Sequence, residues 1–155
     1  MEDLFAGRGM DIPRMLAHLK ETADGLGLPF GDRPHTYNSR RAQELGKWAE
    51  SEGLGDQFHR AAFAAYFADG RNIAQFEVLA DIATAAGLPG QEAARIIESG
   101  RFSQAVDADW QRSGQLGIQV VPTFRVDGQR LEGAKPYEAL RDFVTTPKTE
   151  SRRIF

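Results

Sequence analysis

The chain has no cysteine in its 155 residues. That absence excludes a disulfide, a thiolate nucleophile, a Cys-x-x-Cys pair and a thiolate metal site, and with them dithiol redox chemistry by this chain alone. An apolar run of about 18 residues is also missing, so no segment reads as a bilayer-spanning helix. Residues 1–10, MEDLFAGRGM, have neither a cationic start nor an apolar stretch and do not read as a secretory signal, which makes the cytoplasm the expected location. There is no excess of positive charge: the net charge is −3, which argues against nucleic acid or an anionic membrane as partner. The three histidines, His18, His35 and His59, stand far apart without ligand-like spacing, so no metal site and no cofactor is expected.

What is present is ordinary for a globular protein: 41% hydrophobic and 26% charged residues, in a length suited to a single domain over 1–155. Apolar residues recur with helical period over most of the chain. A first helix is expected over 11–24, with Asp11 as cap, Pro13 in the first turn, and Ile12, Met15, Leu16, Leu19 and Ala23 on one face. A second runs from Asn38 as cap to about Ser51, burying Ala42, Leu45, Trp48 and Ala49. The third, 56–68 with Asp56 as cap, is apolar around most of its circumference and is expected to pack on more than one side, with Phe63, Tyr66 and Phe67 in the core. A fourth covers about 75–86, with Asn72 and Gln75 at capping-box spacing. A fifth covers 90–98. A sixth runs from Ser103 to about Leu116, with Val106 and Trp110 inward.

After Gly117 the period changes from 3.6 to 2. Asp127-Gly128 is the preferred pair for a two-residue primed turn, so 123–126 and 129–132 are expected to form a β-hairpin. A last helix, about 136–144, starts at Pro136 and is expected to bury Tyr137, Leu140 and Phe143 or Val144, leaving 145–155 as a tail.

Several short helices, then Val121-Pro122-Thr123-Phe124, a hairpin, and a helix opening near Gly-Ala-Lys-Pro-Tyr form a recognisable order. With Asn38-Ser39, the Phe58-His59 to Tyr66-Phe67 helix and Gly70-Arg71-Asn72-Ile73, it resembles the DsbA-like branch of the thioredoxin fold, and within it the FrnE-like dithiol-disulfide oxidoreductases. The resemblance runs from about Leu26 to Val144. It implies a helical insertion region over 10–116 and the C-terminal β-β-α half of a thioredoxin-like core over 117–144. It further implies a cis peptide before Pro122, and a substrate-binding role for Val121, Pro122 and Thr123, the Val121 backbone pairing with an extended peptide or a glutathione thiol. The family's first strand and Cys-x-x-Cys helix have no counterpart here. The expected fold is therefore a mostly α, truncated thioredoxin-like one with a C-terminal hairpin and helix. No catalytic residue is expected, and the hairpin edge could be covered by a second copy of the chain. Two other functions fit the same resemblance: a relative of glutathione-dependent isomerases or kappa-class transferases, and a non-enzymatic binding or assembly module.

Remaining features read as structural. Ser39 and Ser103 stand where helix caps belong. Glu50/Glu52 and Asp107/Asp109 read as solvated charge, and Arg40-Arg41 and Arg152-Arg153 are too few for a nucleic-acid footprint. Gly7 and Gly9 lack the preceding strand and third glycine of a phosphate loop.

Overall fold

A computed structural model of the chain describes residues 11–32 and 35–146. The Gly7/Gly9 pair, Arg152-Arg153 and the tail from residue 147 onward lie outside the described residues. The helices are α1 (Ile12–Gly25), α2 (Arg40–Ser51), α3 (Gly55–Phe63), α4 (Phe76–Ala85), α5 (Gly90–Ser99), α6 (Ser103–Gln115) and α7 (Tyr137–Thr145). Strands β1 (Thr123–Val126) and β2 (Gln129–Glu132) lie between α6 and α7, and a π-helical turn, Ala64–Ala68, continues α3. The fold is thus mostly α-helical with a small C-terminal hairpin.

One short device ends four of these helices. Gly27-Leu28, Gly53-Leu54, Gly87-Leu88 and Gly117-Ile118 each put a glycine at positive φ. The next amide then returns to a carbonyl inside the helix, as in Leu88 N–H to Ala83 O at 2.9 Å and Leu54 N–H to Ala49 O at 2.8 Å. This is the Schellman stop, which satisfies carbonyls the helix end would leave bare and turns the following apolar residue back toward it. At Leu88 the return places the side chain in the core, 5% exposed.

By internal contacts the chain falls into two units, Met1–Ala108 and Asp109–Phe155. The first holds the hydrophobic core. Ala42, Leu45, Trp48 and Ala49 of α2, the stripe expected from the sequence, are all buried, and they meet Phe58, Leu79, Ile82, Ala83 and Ala93. The start of α2 is tied to the start of α6 through Arg40. Its guanidinium reaches Asp107 Oδ1 at 2.6 Å, Glu44 Oε1 at 2.9 Å, and both the carbonyl and hydroxyl oxygens of Ser103 at 2.8 Å. The bond to Asp107, then that to Glu44, holds the Arg40 pKa above the ordinary guanidinium value. Glu44 is a buried acid, and this cation gives its carboxylate the partner such burial requires.

Several local expectations are corrected. Ser39, not Asn38, occupies the N-cap of α2, although Asn38 Oδ1 still accepts the Arg40 N–H at 2.9 Å. Asp56 lies in the first turn of α3, behind Leu54 at the cap, where its charge favours the helix N-terminus. Asn72 makes an Asx turn, accepting from Ala74 N–H at 3.0 Å, so no capping box forms with Gln75. The larger correction concerns the third helix and Trp110. Phe63 is 62% and Phe67 37% exposed, so outward aromatic rings replace the expected core residues there, and in the second unit Trp110 is 53% exposed.

In the second unit the hairpin has the expected register, Thr123 opposite Glu132 through Val126 opposite Gln129. Asp127 and Gly128 both take positive φ, 46° and 81°, as a primed turn demands. The expected burial of α7 does not occur. Tyr137 is 71% and Val144 59% exposed, while Leu140 and Phe143 are half-buried. Among described residues 109–146 none is buried. Two short strands and a short helix enclose too little volume to remove a side chain from water, the general weakness of a two-stranded sheet. No helix among the described residues is long and apolar enough to cross a membrane.

Candidate functional site

The segment between α6 and β1 is held at both ends. At its start Ile118 N–H donates to Ser113 O at 3.0 Å, and the Gly117 carbonyl accepts from Arg130 Nη1 at 2.8 Å. At its end the Thr123 hydroxyl donates to Val120 O at 2.6 Å, and Gly133 N–H donates to Pro122 O at 2.8 Å. The Val121–Pro122 peptide is cis. Pro122 has no N–H of its own. Val121 stands between these anchors with its side chain outward, 87% exposed. Its N–H and C=O have no hydrogen-bond partner among the described residues. Unpaired backbone next to a ladder is a ready template for one more extended segment.

The expected site residues are therefore neighbours that play different parts. Val121 offers donor and acceptor, the Pro122 carbonyl is already taken, and the Thr123 side chain braces Val120. Two residues that sequence reasoning did not single out complete the frame, Arg130 and Gly133. A signal for Gly133 lies in the sequence: it follows β2 directly and takes φ 82°, a turn-making position. Charge beside the segment is mixed. Arg125 and Arg130 are directly opposed across the hairpin, and Glu132 neutralises part of this, its Oε1 lying 3.1 Å from Arg130 Nε. Among the described residues no group of three or more His, Asp or Glu is placed to hold a metal ion.

This order of helices, bridging segment, hairpin and helix is matched in known proteins. The family profile described as a DSBA-like thioredoxin domain matches residues 9–145. The chain belongs to the DSBA-like thioredoxin domain family. Its fold superposes on a probable DsbA oxidoreductase from Streptomyces coelicolor with a TM-score of 0.82 at 26% identity, covering 93% of this chain. The chain spans 64% of that relative's length. A second structure, provisionally named a protein disulfide isomerase, from Nitrosomonas europaea, has a TM-score of 0.68 at 23% identity, covering 85% of this chain and 71% of that one. This second likeness is one of fold alone. No curated protein sequence matches. With no cysteine in its 155 residues, this DSBA-like domain has no thiol with which to exchange a disulfide.

Proposed function

We infer that this DSBA-like domain acts by binding, not by turnover: the Val121 backbone pairs with an extended peptide or with glutathione, and no residue of the chain reacts with what is held. The observation that carries this reading is the Val121 N–H and C=O, unpaired among the described residues, on an 87% exposed residue braced on either side by bonded neighbours. Of the opposed Arg125 and Arg130, Glu132 pairs with the second, and the exposed Arg125 supports a ligand with some negative charge, which fits glutathione or an acidic peptide. Val121, Pro122 and Thr123 form the proposed contact, within the FrnE-like branch that the Asn38-Ser39 and Gly70–Ile73 motifs suggest.

Calorimetric titration with reduced glutathione and with a short acidic peptide tests this. Saturable heat is expected with one of them. Val121→Pro removes the donor while breaking no bond among the described residues, and should weaken that binding about tenfold, the worth of one unmade hydrogen bond. In the same buffer, insulin reduction by dithiothreitol should run at the reagent blank. Absence of heat at millimolar ligand would favour a non-enzymatic assembly role. A second copy seated on the hairpin edge would instead appear as concentration-dependent mass in sedimentation.

A further inference from the structure

A cleft in the first unit has a construction that the binding reading above does not use. Gly46 lies in the middle of α2, where glycine weakens a helix. The space it leaves is occupied: a Cβ there would stand 3.2 Å from His59 Nε2. His59 is thereby laid against α2, stacked on Phe63 at 6.5 Å between centroids and edge-on to Phe58 at 6.4 Å. Phe63 contacts Phe67 at 6.1 Å, and Tyr66 meets Phe67 edge-on at 4.8 Å and Tyr37 at 6.4 Å. The π-helical turn, a local geometry frequent at functional sites, carries Tyr66 and Phe67.

These rings, with Gln43, enclose a cleft of about 430 Å³, near the lower end of the range for small-molecule sites. Among the described residues its lining contains no Lys, Arg, Asp or Glu. It does contain polar atoms. Gln43 donates to the Ser39 hydroxyl at 2.9 Å, while the Tyr37 hydroxyl and the His59 ring nitrogens have no hydrogen-bond partner among the described residues. An apolar aromatic wall without a charged group disfavours an ionic ligand, whose desolvation nothing there would offset. Ring faces and edges favour an aromatic one, and the hydroxyl and imidazole favour a ligand with one hydrogen-bonding group.

We propose that this cleft binds a neutral aromatic molecule of one or two rings bearing a hydroxyl or N–H, the phenol and indole class. The ring stacks against Phe63 and Phe67, and the polar group reaches His59 or Tyr37. This site is independent of Val121, which does not line it.

Titration with indole, followed by amide ¹H–¹⁵N correlation spectra, tests the proposal. Saturable shifts are expected in residues 37–46 and 58–67, with benzoate at least about tenfold weaker. Phe63→Ala removes an exposed ring without opening the core, and should also weaken indole about tenfold. Gly46→Ala, which displaces His59, should weaken it several-fold with helix content preserved. The proposal is overturned by an absence of saturation up to about 10 mM, by shifts spread equally over the hairpin, or by benzoate binding as well as indole. Unchanged affinity in Phe63→Ala overturns it too. So does a dimer that Phe63→Ala dissociates, since the face would then belong to a second copy.

Discussion

Replacing Phe58 with alanine is expected to cost about 3–5 kcal/mol of folding stability, the range for truncating a fully buried phenylalanine. Phe58 is 1% exposed and sits where α3 meets the buried stripe of α2 and the apolar face of α4. The surrounding side chains come from three helices and cannot all close on the vacated volume, so a cavity term adds to the lost transfer free energy. Trp48, 3% exposed in the same cluster, supplies the fluorescence reporter for urea unfolding. Tyr137→Ala is the control. At 71% exposure its loss should shift stability by no more than about 0.5 kcal/mol. A cost below about 1 kcal/mol for Phe58→Ala would mean that the core described is not the one that holds the chain together.

Gly90→Ala is expected to destabilise by about 1–3 kcal/mol, although alanine is the better helix former by nearly 1 kcal/mol. Gly90 opens α5 and packs against α4. A Cβ there would stand 2.6 Å from the Ala80 carbonyl oxygen and would clash with the Thr84 hydroxyl oxygen as well. The first obstacle is backbone, so relief requires α5 to move off α4, and Ala93 of α5 and Leu79 and Ile82 of α4 would lose packing together. Gly114 gives the opposite sign. It lies within α6 with no atom within 4 Å of an added Cβ, so Gly114→Ala should stabilise by about 0.5–1 kcal/mol. Thermal unfolding of both variants decides the matter. If both alanines stabilise, the α4–α5 approach is looser than the distances imply.

The elements that could be read from sequence were those whose signal is local. The hairpin at 123–132 follows from alternation around Asp127-Gly128. The stripe on α2, Ala42, Leu45, Trp48 and Ala49, follows from period alone and proves to be buried. The errors share one cause. Periodicity says which residues of a helix lie on one face, and it cannot say whether another element covers that face. Hence Phe63, Phe67, Trp110 and Tyr137, inward by sequence pattern, are exposed. The π-helical turn was invisible for a related reason, since one extra residue per turn leaves no compositional mark in a stretch as apolar as AAYFA.

The candidate site divides the same way. Composition and spacing do not single out Val121; its proposed role comes from resemblance to the DsbA-like family. Arg130 and Gly133, which close the frame around Val121, depend on a register that only the paired strands supply. The aromatic cleft joins residues 36–43 to residues 58–73 and needs the glycine at 46 to seat His59, a three-way coincidence that no single window of sequence displays.

The central claim, that Val121 offers an unpaired backbone to an extended ligand, is tested most directly by hydrogen exchange at one amide. In the free protein the Val121 N–H should exchange at close to the rate of an unprotected amide, while Gly133 N–H, bonded to Pro122 O at 2.8 Å, should be slower. With saturating acidic peptide or glutathione, the Val121 amide should become protected. A Val121 amide already slow in the free protein, or one whose exchange is unchanged at saturation, would contradict the account.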